Sequence, residues 1–115
     1  MNEDCIFCKI VAGEIPSDEV YQDELVYAFR DINPAAPTHV LIIPKEHVVN
    51  TNDLRDGHKD LAAALLLAAP KIAAQEGIAE SGYRLIMNNG PDGRQEVMHM
   101  HLHVLGGARM QHPMG

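Results

Sequence analysis

With 115 residues, 46% of them apolar and 22% charged, the chain fits one domain able to bury a core without staples. A formal net charge of −7 excludes a general nucleic-acid binder, which needs a basic footprint. It still allows one small anion, held by backbone N–H groups and local cations. No apolar run is long enough to span a bilayer, and the opening Met-Asn-Glu-Asp-Cys is not followed by the apolar stretch of a secretory signal. The expectation is a cytoplasmic protein with no membrane contact and reduced cysteines.

Residues 5–13 space Ile6, Phe7, Ile10 and Val11 as a short helix stopped by Gly13. Segments 20–23 and 25–30 read as two strands joined by an acidic turn at Asp23-Glu24. Residues 31–37, with two prolines and Asn33, read as a loop. Segment 38–44 is rich in β-formers, almost wholly apolar and closed by Pro44, so it should be a buried central strand. Polar residues 50–57 offer Asp53 or Asp56 to cap the one long helix, 58–76, whose stripe is Leu61, Leu65, Ala68 and Ile72. Pro70 should kink that helix and Gly77 end it. A fourth strand is expected over 83–87, a glycine-containing loop over 88–95 and a fifth strand over 97–105; the tail 108–115 shows no clear element. Strands joined by turns, without regular alternation with helices, favour α+β with a mainly antiparallel sheet.

The fifth strand carries His99-Met100-His101-Leu102-His103. Alternation puts the three histidines on one face and Met98, Met100, Leu102 and Val104 on the other. A purely structural polar face would need partners for six ring nitrogens. One metal held by all three is strained, because the outer pair lies ~13 Å apart at Cα on a strand. Separate tasks along a bound phosphate fit better, with the central His101 as the nucleophile. Imidazole is available neutral near pH 7 and can form a covalent nucleotidyl intermediate. The preceding Asn88-Asn89-Gly90-Pro91-Asp92-Gly93 lets backbone approach a ligand, so the N–H groups of Gln95, Glu96 and Val97 could face that phosphate. His39 reads as a packing or hydrogen-bonding residue, His58 as solvent-facing and Lys45 as a solvated loop lysine. The i, i+3 thiols of Cys5 and Cys8 share one side of a helical turn, which leaves redox use, packing and metal ligation open.

His99 through Leu105 resembles the His-φ-His-φ-His-φ-φ signature, with φ apolar, of the histidine triad (HIT) family. Ile15-Pro16-Ser17, Ala28 through Pro34, Ala36-Pro37-Thr38-His39, Ile43 through His47, Gly82-Tyr83-Arg84 and Gly106-Gly107 extend the likeness along essentially the whole chain. The compact length and Gly-Gly are similar to the Hint branch. The resemblance implies a single domain, a five-stranded antiparallel sheet with one short and one long helix, and a homodimer with a continuous sheet. It implies a purine nucleoside monophosphate site in which Asp31 bonds the ribose and Ile32 borders the base. Asn88, the backbone of Glu96 and Val97, His101 and His103 hold the α-phosphate. The implied activity is hydrolysis of nucleoside 5′-phosphoramidates of the adenosine 5′-monophosphoramidate type through a nucleotidyl-His101. The alternatives are a dinucleoside polyphosphate hydrolase or a nucleotide-binding module with little turnover.

Three departures carry physical content. Glu96 stands where many Hint members have serine; a carboxylate beside a phosphate must be protonated or turned away, which makes Glu96 the candidate proton donor to the leaving amine. Arg94 replaces the second glycine of a Gly-Gly pair; it is strained if that position needs positive φ, and otherwise adds positive charge near the phosphate. His112 stands where an aromatic residue is usual. The resemblance also implies structural zinc on Cys5, Cys8, His47 and His99, a chemically sound Cys₂His₂ set that would clamp the N-terminal helix to the sheet, with no catalytic metal.

Overall fold

A computed structural model describes residues 4–114; residues 1–3, part of the acidic start, and Gly115 at the tail end lie outside that range. Helix α1 (Ile6–Val11) buries Phe7, Cys8 and Ile10, and Cys5 caps it, its Sγ accepting the Cys8 N–H at 3.2 Å. Strands β1 (Glu19–Gln22) and β2 (Val26–Arg30) follow. Their turn is held by Asp23, whose Oδ1 accepts the N–H groups of Leu25 and Val26, each at 2.9 Å. Strand β3 (Thr38–Pro44) is the buried central strand that its composition predicts. Helix α2 (Lys59–Gln75), β4 (Tyr83–Ile86) and β5 (Leu102–Gly106) complete the elements that carry the core.

The strands form one antiparallel sheet in the order β1-β2-β3-β5-β4. Alternation divides its side chains between two cores. Val26, Ala28, Val40, Ile42, Leu102 and Val104 pack under α2, against Leu61, Leu65, Ala68, Ala69, Ile72 and Ala73. Tyr27, Phe29, Leu41 and Ile43 pack on the opposite face against α1, through Cys5, Phe7, Cys8 and Ile10. A one-residue slip in β3 would exchange these two sets, so register is strongly specified.

The sequence expectations need two corrections here, at the start of α2 and at the start of the fifth strand. Neither Asp53 nor Asp56 caps α2: two 3₁₀ turns, Thr51–Asp53 and Asp56–His58, precede it, Asn50 caps the first through a 2.9 Å bond to the Asn52 N–H, and His58 at the N-cap of α2 makes no side-chain cap bond. Helix α2 continues through Pro70, whose side chain is exposed. The fifth strand begins at Leu102, not at 97. The β3–β5 ladder stops at the Ile42–Leu102 pair because side chains take over the next acceptors. His99 Nε2 bonds the Pro44 carbonyl at 2.8 Å, His101 Nδ1 bonds the His99 carbonyl at 2.8 Å, and Pro44 has no N–H to offer.

Candidate active site

Although His99 and His101 lie outside a regular strand, the alternation largely survives. Met100, Leu102 and Val104 enter the core under α2, whereas Met98 is half exposed and does not join it. His99, His101 and His103 face the α1 side, where the Phe7 ring stands edge-on to His101 at 5.2 Å and to His99 at 5.9 Å between centroids. His101 and His103 are 5.0 Å apart.

The tautomers follow from the hydrogen bonds. The Ala35 N–H donates to His39 Nδ1 at 3.0 Å, so the proton of neutral His39 sits on Nε2. That Nε2–H faces His103 Nδ1 at 2.8 Å and Asp31 Oδ2 at 3.5 Å. His103 Nδ1 is therefore an acceptor, and the His103 proton sits on Nε2. Burial lowers the pKa of His39, and burial with the neighbouring His101 and His39 rings pushes that of His103 down to about 4, so both rings are neutral at pH 7. Among the described residues, His103 Nε2 is the buried side-chain nitrogen or oxygen without a partner. His101 has the opposite arrangement: its Nδ1–H donates to the His99 carbonyl, which leaves the Nε2 lone pair of the neutral ring unused.

Two clefts meet at this pair. One, of about 430 Å³, is lined by Ile86, Asn88, Asp92, Gly93, Arg94, Glu96, His101 and His103. The other, of about 320 Å³, is walled by Phe7, Ile10, Phe29, Leu41, Asp31, Ile32 and Val97 before reaching Glu96, His101 and His103. The first is polar. The second offers apolar walls with the carboxylates of Asp18 and Asp31 beside Ile32, which is 91% exposed. Asp31 Oδ1 accepts the Asn33 N–H at 2.8 Å. A nucleophilic nitrogen, a dry N–H donor and a carboxylate, Glu96, thus border one point.

The four sulfur and nitrogen atoms of Cys5, Cys8, His47 and His99 lie within 4.8 Å of one another. Cys5 Sγ is 3.2 Å and Cys8 Sγ 3.5 Å from His99 Nδ1, and Cys8 Sγ is 3.1 Å from His47 Nδ1. A tetrahedral zinc with ~2.3 Å bonds to sulfur and ~2.0 Å bonds to nitrogen needs about this spacing. His99 is ready to ligate: its Nε2–H is committed to Pro44, its Nδ1 lone pair faces both sulfurs, and burial lowers its pKa. Asp31, His39 and His103 also cluster. They suit a metal poorly, because ligation through His39 Nε2 would move its proton to Nδ1, against the Ala35 N–H.

Gln95 and His58 act differently from the sequence expectation. Gln95 does not face a phosphate. Its N–H bonds the Gly90 carbonyl at 3.0 Å, and its buried side chain takes the Gly90 N–H, Asn50 Nδ2 and the Val49 and Val97 carbonyls. It is the peg that fixes the 90–95 loop. His58 is half-buried between the Arg55 N–H and Glu46 Oε2, not solvent-facing. Lys45 Nζ bonds Gln22 Oε1 at 2.9 Å and lines neither cleft. Arg94 has φ 62°, the one positive value at a non-glycine residue among the described residues. His112 offers its carbonyl to Arg84 Nη2 at 2.9 Å, which ties the tail to β4. Sequence reasoning missed the Phe7 and Ile10 walls of the second cleft, since their spacing signals only a buried helix face.

Comparison with known proteins matches this geometry. A profile described as HIT domain matches residues 12–110. Purine nucleoside phosphoramidase of Escherichia coli (strain K12) is 57% identical over 107 residues, 93% of this chain and 90% of that protein. The 14 kDa zinc-binding protein of Zea mays is 50% identical over 112 residues, 96% and 87% of the two chains. The crystal structure of a HIT family hydrolase from Legionella pneumophila superimposes with a TM-score of 0.93 at 52% identity, covering 97% of this chain and all of that one. From the buried histidine pair to the shared fold, these findings place the chain in the histidine triad family, to which it belongs.

Proposed function

We propose that this protein hydrolyses purine nucleoside 5′-phosphoramidates through a nucleotidyl-His101 intermediate. The observation that carries the reading is the unpartnered, buried His103 Nε2–H beside the unused Nε2 lone pair of His101. A phosphoryl oxygen would accept from the first while phosphorus meets the second. The name of the E. coli relative supplies the substrate class.

In this reading the nucleoside enters the apolar cleft, with the base against Ile32 and Phe29 and the ribose hydroxyls on Asp31. Asn88, His103 and the N–H groups of Glu96 and Val97 hold the phosphate. His101 Nε2 attacks phosphorus; the Nε2–P bond forms as the P–N bond of the substrate breaks. The electron pair leaves with the amine, and the Glu96 carboxyl supplies its proton. The charge that develops on the His101 ring is stabilised by the His99 carbonyl at Nδ1. Water then attacks phosphorus, the Nε2–P bond breaks, and the Glu96 carboxylate takes the water proton. Nucleoside monophosphate is released with both side chains restored.

The same reading gives Cys5, Cys8, His47 and His99 a structural zinc, supported by their spacing and by the name of the maize relative. Zinc there supplies cross-linking, not chemistry on substrate. A homodimer fits the unpaired outer edge of β4 and the exposed Leu66 and Leu67 of α2. Among the described residues, no helix is long and apolar enough to cross a membrane.

The test is turnover of adenosine 5′-phosphoramidate and of diadenosine polyphosphates by wild type and His101→Ala, with intact-mass analysis after an acid-free quench. The reading expects AMP from the phosphoramidate and a nucleotidyl adduct in wild type alone. Turnover confined to the polyphosphates would select the hydrolase of that class. Absence of turnover on both would leave a binding module.

A further inference from the structure

We infer that Arg94 forms an anion subsite for the leaving group and tunes this enzyme towards phosphoramidates whose amine carries a carboxylate. The inference rests on the phosphoramidase reading and deepens it. Arg94 lies on the 430 Å³ cleft with Asn88, Glu96, His101 and His103, away from the apolar nucleoside cleft, which it does not line. With the nucleoside in the apolar cleft, the Arg94 cleft is the space left at His101 and His103 for the departing amine.

Three observations make the arginine more than a solvated surface charge. The first is its backbone, at φ 62°, where glycine would sit without strain. The loop cannot relax to relieve it. The Arg94 N–H bonds the Pro91 carbonyl at 3.0 Å, the next residue is pegged through Gln95, and Gly93 packs so closely that a Cβ would stand 2.5 Å from the Asn89 carbonyl oxygen. Strain kept in a site wall is a pointer to function. The second is that the guanidinium has no hydrogen bond or ion pair with any described residue, although Asp92 and Glu96 line the same cleft. The third is charge. Histidines apart, Arg94 is the only cation among the residues that line this cleft, in a chain of net charge −7. A free planar fork is suited to a carboxylate, which it can bind through two parallel N–H bonds.

The experiment compares AMP joined through a P–N bond to glycine with the same conjugate of glycine methyl ester, in wild type, Arg94→Gly and Arg94→Lys. Arg94→Gly removes the strain as well as the charge, so folding is not at risk. The reading is the ratio of kcat/KM for the acid over the ester within each protein, which cancels general losses. We expect a ratio at least tenfold lower in Arg94→Gly, an intermediate ratio in Arg94→Lys, and a wild-type preference that shrinks with salt. Equal ratios in wild type and Arg94→Gly overturn the subsite. Calorimetric affinities of both conjugates for His101→Ala, with and without Arg94→Gly, report the same ratio without turnover. A failed phosphoramidase reading, seen as no hydrolysis by wild type, is thereby distinguished from a failed subsite, seen as no difference in binding ratio.

Discussion

His99 and His101 stand two residues apart, are both buried, and each gives one ring N–H to a backbone carbonyl, yet they use opposite nitrogens. His99 spends Nε2 on Pro44 and turns Nδ1 to the two sulfurs. His101 spends Nδ1 on His99 and leaves Nε2 unused beside the clefts. One residue type in one segment is thus divided into a ligand and a nucleophile by which carbonyl lies within reach. The carbonyl of the first even orients the second, so the metal cluster and the reacting centre are adjacent parts of one framework.

Removing one member of each centre should separate the two roles most strongly. His101→Ala should lower kcat by roughly 10⁴-fold while leaving metal content intact, measured by steady-state assay and elemental analysis. Cys8→Ala should do the reverse in its first effect: metal content falls, and unfolding free energy in denaturant drops by at least about 2 kcal/mol, since a ligated ion stabilises only the folded state. If Cys8→Ala keeps both metal and stability, Cys8 is not a ligand; a wild type that takes up no metal would leave the cluster as packing alone.

Subtler changes sharpen the picture. Glu96→Gln should slow the amine-release step about 10²-fold, read from kcat; an unchanged kcat would remove Glu96 from proton transfer. His103 titrates at about 4 when folded and near 6.5 when unfolded. The unfolded chain therefore takes up the proton first. Stability should be level above about pH 6.5 and fall by roughly 1–3 kcal/mol as pH drops towards 4, a loss absent from His103→Asn. The smallest effect expected is a gain: Arg94→Gly should raise stability by about 0.5–1 kcal/mol, read from the denaturation midpoint, as the positive φ is relieved.

Much of this was legible in the chain. Thr38–Pro44 is a central strand because its own composition allows little else. Cys5, Cys8, His47 and His99 do converge, as the resemblance implied. What was not legible depends on long-range hydrogen bonds. Period-two spacing extended the last strand back to 97, because alternation alone cannot register that His99 and His101 divert the carbonyls a ladder would use. Gln95 looked like a phosphate residue by its place in a glycine loop, and only its four partners reveal a peg. His39 reads as a packing or hydrogen-bonding residue, but nothing local announces its partner, His103, 64 positions away. For Arg94 the sequence posed the right condition, and the backbone angle answered it.

Histidine-labelled ¹⁵N NMR reads the division of tautomers between these rings. A two-bond ¹H–¹⁵N correlation spectrum at pH 7 should show His101 protonated at Nδ1, with His99, His39 and His103 protonated at Nε2. His101 in the Nε2–H form would contradict the account, because the nitrogen assigned to attack phosphorus would then have no lone pair to give.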